Sequence, residues 1–161
     1  MRKLTHNRPR YIAGLKFGLI AGLLVFTACN KSKKLDKLLN NSQWNIDLYE
    51  SYTYINGVRD SAQDIHHKQA GYVHLNPGQT GEMVISNGPF TDTYRIEKWE
   101  VPVVKRRKPL TILMDVLYVK NNSRGTWILQ VTENEKARQV WQRVIQDGTM
   151  EVKNRYEMTA K

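Results

Sequence analysis

The sequence contains a single cysteine, Cys29, and none of the short motifs that are typical of common catalytic sites. It has no Gly-x-Ser-x-Gly turn of a serine hydrolase, no glycine-rich phosphate loop and no His-Glu-x-x-His helix of a zinc protease. No other group of residues forms a catalytic set by its spacing. We therefore expect a protein that is not an enzyme and that uses no cofactor.

Acidic residues are absent from the first 16 positions, which carry five basic ones: Arg2, Lys3, Arg8, Arg10 and Lys16. An apolar run of 12 residues follows over 17–28, whereas a membrane-spanning helix needs about 20. No second apolar segment in the chain is long enough to cross a bilayer. A basic stretch before a short apolar run is typical of a secretory signal peptide.

Two small residues, Thr27 and Ala28, directly precede Cys29. This arrangement resembles the lipobox of bacterial lipoproteins, in which signal peptidase II cleaves before the cysteine and the cysteine is acylated. The resemblance implies a lipoprotein signal peptide over 1–28 and lipidation of Cys29, with a diacylglycerol and a further chain such as palmitate. Each buried CH2 group contributes about 0.8 kcal/mol, so such an anchor holds a protein on a membrane. The alternative is a plain secretory signal in which Cys29 is a small apolar residue.

The excess of basic residues is smaller in the expected mature chain than in the whole chain. Lys and Arg number 25 against 15 Asp and Glu, and the signal peptide accounts for five of the basic residues and no acidic one. The remaining 20 against 15 give a net charge of +5, too little for the dense basic face of a nucleic-acid-binding protein. About 130 mature residues suit one domain with a single core.

Residues 29–42 are polar and basic, and they separate the expected anchor from the rest of the chain. We interpret them as a lipidated tether whose lysines lie near anionic lipid head groups. A solvated linker without such contacts is the alternative.

From residue 43 onward, apolar and polar residues alternate in short segments separated by turn residues, a pattern that predicts β-strands. In the first strand, Trp44, Ile46, Leu48, Tyr52 and Tyr54 share one parity, and Asn56-Gly57 ends it. A polar loop is expected from there to Gln69. Further strands are predicted at residues 71–75, 82–86, 93–101, 110–119 and 126–132.

Residues 134–147 allow two interpretations. Ala137, Val140, Trp141, Val144 and Ile145 have helical spacing, which favours a helix locally. Asp147-Gly148 is a strong hairpin turn and residues 151–158 alternate, which favours two paired strands. With the hairpin, the chain has eight consecutive antiparallel strands, a number that can close into an up-and-down barrel without free edges.

Three segments resemble the lipocalin-like domain of small lipoproteins of Bacteroidota. They are Leu38-Leu-Asn-Asn-Ser-Gln-Trp44, Gly71-Tyr-Val-His-Leu with Gly78-Gln-Thr-Gly81, and Trp127 to the C-terminal Lys161. The resemblance implies an all-β fold over 43–161, an eight-stranded antiparallel meander forming a lipocalin-like barrel or half-barrel, and favours the hairpin over the helix. It also implies an outer-membrane location, and the basic tether favours the leaflet that faces the periplasm.

Aromatic residues are the candidates for a ligand site. Pointing into a barrel, they can line a pocket for a small apolar or glycan ligand, and we select Trp44, Tyr52, Trp99 and Trp127. In a barrel of this size side chains usually fill the interior, so a packed core is the alternative.

The densest run of charge is Lys105-Arg106-Arg107-Lys108. It can dock an acidic envelope protein, which makes a structural or accessory subunit the second hypothesis for the function; a solvated loop is the alternative. Ser61, within Asp60-Ser61-Ala62, resembles the short O-glycosylation motif of Bacteroidota envelope proteins.

Two further groups of polar residues have simpler interpretations. His66, His67, His74 and Asp64 are of ligand type, but their spacing favours solvated residues over a metal site. Glu97, Glu100 and Asp115 are expected to be exposed carboxylates on strands.

Overall fold

A computed structural model describes residues 31–103 and 108–161. It contains eight antiparallel strands that are paired in chain order, and β8 pairs with β1 to close a barrel. The expected eight-stranded all-β fold is confirmed. The strands are β1 (Ser42–Ile55), β2 (Val58–Leu75), β3 (Gly81–Asn87), β4 (Phe90–Glu100), β5 (Leu110–Tyr118), β6 (Ser123–Asn134), β7 (Arg138–Asp147) and β8 (Met150–Ala160).

The contested stretch before Gly148 is a strand. Residues of β7 pair with β8 from Arg138↔Thr159 to Asp147↔Met150, and Gly148 turns the chain with a φ of 57°. Trp141 and Val140 are both buried although they lie on opposite faces of β7. Apolar residues on both faces of one strand imitate the spacing of a helix, which explains why the local pattern was ambiguous.

The prediction of a polar loop after Asn56-Gly57 is wrong, because β2 begins at Val58. Both turn residues have positive φ, 52° and 78°, as a tight hairpin turn requires. Residues 58–60 and 65–68 pair with β1, and no residue of 58–70 has a partner in β3, whose ladder with β2 begins at Gly71. This half of β2 is mostly exposed, and its polar composition reflects that exposure rather than a loop.

The segment expected to be a tether differs in structure from a free linker. Residues 31–39 form a helix, α1, and Asn41 in the turn that follows has a φ of 56°. Leu35 and Leu39, one turn apart, are fully buried in the barrel core, while Lys31, Lys33, Lys34 and Lys37 are exposed. The lysines suggested a solvated segment, but the leucines on the other face attach it to the barrel.

The helix closes one end of the barrel, which we call the closed end. Ser32 donates a hydrogen bond to the Pro102 carbonyl at 3.1 Å, and Ser42 donates to the Leu39 carbonyl at 2.5 Å. Beneath the helix, Trp44, Trp99 and Trp141 are at most 1% exposed and belong to one continuous apolar core. The closed end is therefore filled by side chains. In the described residues, no helix is long and apolar enough to span a membrane.

Candidate ligand site at the open end of the barrel

Two neighbouring strands of the barrel are unpaired at the end opposite α1, which we call the open end. β6 and β7 pair only from Gln130↔Gln142 to Asn134↔Gln139. Beyond that, residues 123–129 of β6 pair only with β5, and residues 143–147 of β7 pair only with β8. Backbone groups that face one another there are not joined by a ladder, which leaves an opening between β6 and β7.

Trp127 and Arg143 lie on the two strands that border this opening, and three inward-facing tyrosines lie near them in the barrel; we call these five side chains the lumen cluster: Tyr49, Tyr94, Trp127, Arg143 and Tyr156. The Tyr49 and Tyr156 rings stack with their centroids 5.4 Å apart. The Tyr94 ring meets the Trp127 ring edge-on at 4.7 Å. All four aromatic residues belong to the core or pack against it. The cluster therefore continues the apolar core toward the open end and adds hydroxyl groups to it.

Arg143 is the first residue of β7 beyond the ladder with β6. Its guanidinium carbon lies 4.1 Å from the centroid of the Trp127 ring, so this contact bridges the opening. Burial lowers the pKa of Arg143, and the neighbouring hydroxyls of Tyr156, Tyr94 and Tyr49 partly offset that shift. An arginine remains charged in proteins, so the opening holds a permanent, partly desolvated cation.

Arg143 forms no ion pair or hydrogen bond with any side chain or carbonyl that the structure describes. Asp92 is an inward-facing carboxylate of β4 near this end, and it accepts a 2.5 Å hydrogen bond from the Tyr118 hydroxyl. That bond raises the pKa of Tyr118. Asp92 therefore bonds to Tyr118 on the neighbouring strand β5, whereas the Arg143 guanidinium is on β7.

The tyrosines of the lumen cluster are neutral around pH 7. Burial raises the pKa of Tyr94 to about 12, and nearby Asp92 adds to the shift. Burial also raises the pKa of Tyr156 and of Tyr49. Their hydroxyls therefore remain able to donate hydrogen bonds.

The four aromatic residues selected from the sequence lie in three different places. Trp44 and Trp99 are core residues at the closed end, each 1% exposed, and line no ligand space. Tyr52 lies on the outer face of the barrel, where its hydroxyl donates to Glu50 at 2.9 Å and its ring contacts the Arg59 guanidinium at 4.3 Å. Only Trp127 lies at the open end.

Tyr52 was misplaced because β1 contains a β-bulge. The register of β1 with both neighbours shifts between Ile46 and Leu48, so Asp47 is an extra residue. A one-residue insertion moves every later side chain to the other face. Tyr49, Ser51 and Thr53 therefore point inward. Tyr52 and Tyr54, which share the parity of Trp44 in the sequence, point outward because they follow the bulge.

Sequence reasoning missed Arg143, although a signal for it exists. Arg143 lies two residues after Trp141, so in the hairpin interpretation both side chains point to the same face. A charged residue at an inward position is unusual in a strand and marks a site that calls for a partner.

The remaining predicted residues lie away from the lumen cluster. Lys105, Arg106 and Arg107 fall outside the described residues, as does Cys29. Lys108 is exposed and lies two residues before the start of β5 at the closed end. Ser61 is exposed in β2, in a stretch where residues 61–64 have no partner in β1. Its glycosylation stays a prediction.

The histidines and strand carboxylates are dispersed. His66 lies on the outer face at 3.1 Å from Glu50, whereas His67 points inward opposite Tyr49. Across residues 31–103 and 108–161, no three side chains of ligand type are placed to hold a metal ion. Glu97 and Asp115 are exposed and bonded to Arg124 and Thr126, as expected for carboxylates on the outside of strands.

Comparison of the chain with protein-family models, with curated proteins and with solved structures finds no match in any of the three. The likeness to lipocalin-like lipoproteins therefore depends on the sequence motifs and on the closed eight-stranded barrel.

Proposed function

We propose that this protein is a lipid-anchored protein of the bacterial outer membrane, without enzymatic activity, whose barrel binds a small ligand at the open end. The observation that carries the binding function is the Arg143 guanidinium, which has no ion-pair partner among the described residues and lies against Trp127 beside inward-facing tyrosines. Ligand sites typically combine an apolar aromatic lining with a few polar groups that fix orientation. The filled closed end leaves the open end as the place for a ligand.

The position of α1 gives the anchored protein an orientation. Cys29 lies only two residues before residue 31, where the described helix starts, so an acyl chain on Cys29 attaches to the closed end. The exposed lysines of α1 and Lys108 lie at that same end, where anionic head groups would attract them. The open end then points away from the membrane, into the periplasm. This arrangement also favours head groups, rather than a protein, as the partner of the basic run at 105–108.

The anchor is tested by metabolic labelling with an alkyne analogue of palmitate in the native host, followed by mass spectrometry of the purified protein. We expect the wild-type chain to incorporate the label and to begin at Cys29, and the Cys29→Ser variant to incorporate none. Labelling of the variant to the wild-type level, or an unlabelled wild-type chain, would contradict lipidation at this residue.

Binding is tested by affinity purification of the full-length protein from native envelopes and mass spectrometry of the small molecules that co-purify. Trp127 and Ile128 are neighbours on β6 with opposite orientations, since Trp127 is 6% exposed at the lumen and Ile128 is 59% exposed outside. We expect Ile128→Leu to retain the molecule bound by the wild-type protein and Trp127→Leu to lose most of it. If no molecule is enriched with either folded protein, or if both variants retain it equally, the open end is not a ligand site.

A further inference from the structure

The lumen cluster holds one cation for which the described part of the chain supplies no counter-ion. The arginines that do form ion pairs, such as Arg59, Arg124 and Arg155, pair with carboxylates on the outer face, where water also solvates them. Arg143 instead lies inward, partly buried, with its charge on an aromatic ring. Moving a charge out of water without a partner is unfavourable. An anion bound beside the charge offsets the solvation free energy that burial removes.

The groups around Arg143 specify the shape of the missing anion. The guanidinium presents a planar set of donors that matches the two oxygens of a carboxylate. The Arg143 charge is close enough to Tyr49, Tyr94 and Tyr156 to affect their pKa values. Tyr156 is fully buried and the Tyr49 hydroxyl donates to Asn154 Oδ1 at 3.5 Å, so the hydroxyl of the partly exposed Tyr94 is the one that can donate to the same oxygens. Beside the polar group, Tyr94 is partly exposed, and Trp127, which is 6% exposed, offers more of its ring when Arg143 turns away from it.

We propose that the open end binds an amphiphile with a monoanionic head, of the chemistry of a carboxylate, in which the head pairs with Arg143 and the apolar part packs against Trp127 and Tyr94. This assignment rests on the proposed function and adds the chemical class of the ligand to it. The Arg143 side chain is long and is held at the opening by a single aromatic contact. It can leave the Trp127 face to meet the head group without any change in the strands.

Other titratable groups face the same interior, among them Asp60, which pairs with the inward-facing Thr53, and Tyr118, which pairs with Tyr94. Asp92 on β4 carries a negative charge that opposes an anion, and its influence reaches Tyr49 and Tyr94 together with that of Arg143. His67 on β2 points inward opposite Tyr49. Because Asp92 weakens the attraction, removing its charge should strengthen anion binding, which a purely structural role for Arg143 does not predict.

The test compares an anionic probe with a neutral probe of nearly the same shape. Full-length protein in nanodiscs of neutral phospholipid is titrated calorimetrically at pH 7 with octanoate and with octanamide, and empty nanodiscs provide the blank. We expect octanoate to bind about tenfold more tightly than octanamide, the factor that one charge-assisted hydrogen bond typically gives. Arg143→Gln should remove this preference, Arg143→Lys should retain part of it, and Asp92→Asn should increase it.

Arg155→Gln is the matched control, because Arg155 lies on the outer face in pairs with Glu50 and Glu157. It should leave both affinities unchanged. Equal affinity of the wild-type protein for the two probes overturns the anionic head and leaves ligand binding intact, whereas binding of neither probe removes support from the proposed function as well. If Arg143→Gln lowers only the thermal stability, the contact with Trp127 is a structural latch. Should that variant fail to fold, Asp92→Asn and the wild-type preference still decide the question.

Discussion

Trp44 and Trp99 are equally buried, but only one of them has a hydrogen-bond partner. The indole N–H of Trp44 donates to the Ser42 hydroxyl at 2.8 Å, and that hydroxyl in turn donates to Leu39 of α1. The Nε1 atom of Trp99 is buried without a partner among the described residues. An unpaired buried donor loses its bonds to water and gains nothing in exchange.

We therefore predict that Trp44→Phe destabilises the protein more than Trp99→Phe. Both changes remove a similar volume from the core, so the cavity terms largely cancel. Trp44→Phe removes a hydrogen bond, whereas Trp99→Phe removes an unsatisfied donor, and the difference between the two should be about 1–3 kcal/mol. Urea unfolding of both variants, followed by circular dichroism, measures it. Equal losses, or a greater loss for Trp99→Phe, would mean that the Trp99 indole N–H is satisfied in solution.

Single residues also mark the limit of prediction from the sequence. The alternation of Trp44 and Ile46 was sufficient to place both on one face of the strand, which proves to be the inner face, although Trp44 is a buried core residue and not the ligand-lining residue that was expected. Beyond the bulge at Asp47 the same alternation gave the wrong face for Tyr52. A bulge depends on how two neighbouring strands are paired, and no residue type at position 47 announces it.

At the scale of elements, α1 is part of the domain rather than a spacer in front of it. Its two buried leucines lie over the core that Trp44 and Trp99 complete. The sequence contained this information as the spacing of Leu35, Leu38 and Leu39, but nine residues are too few for a stable isolated helix. The helix forms because the barrel end offers it an apolar surface, a contact that a local pattern does not reveal.

This docking predicts a large effect for a residue that was expected to lie in a linker. Leu39→Ala should destabilise the protein by about 2–5 kcal/mol, because it removes a fully buried side chain and leaves a cavity at the closed end. Lys37→Ala on the exposed face of the same helix should change the free energy of unfolding by less than about 0.5 kcal/mol. Chemical denaturation of the two variants measures both. Equal, small effects would show that α1 is detached from the barrel in solution.

For the whole molecule, the barrel was predictable and its opening was not. The hairpin turn Asp147-Gly148 and the count of strands sufficed for an eight-stranded meander, although a loop was expected where Asn56-Gly57 makes a tight hairpin. The opening depends on where the ladder between β6 and β7 stops, at Gln130↔Gln142. That limit is a property of the assembled sheet, and no residue type in either strand marks it.

The tyrosines of the lumen cluster make the stability of the whole barrel sensitive to alkaline pH. The pKa of Tyr94 is raised to about 12 in the folded protein, and an exposed tyrosine in the unfolded chain has a pKa of about 10. Below pH 10 both states hold the proton and stability does not depend on this group. Between about pH 10 and 12 the unfolded chain loses the proton first, so the free energy of unfolding falls as the pH rises. Tyr156 and Tyr49, whose pKa values are also raised, act in the same direction.

We therefore expect Tyr94→Phe to reduce the loss of stability between pH 10 and 12. One group contributes at most about 1.4 kcal/mol per pH unit, and Tyr94 contributes less because its ring is partly exposed and solvent screens it. The measurement is urea unfolding of the wild-type protein and the variant at intervals from pH 7 to 12. Lysines and other tyrosines titrate in the same window, but they are common to both chains and cancel in the difference. The two curves should run parallel up to about pH 10 and converge above it; a constant difference over the whole range would show that Tyr94 is solvated and that the open end is more accessible to water than its burial indicates.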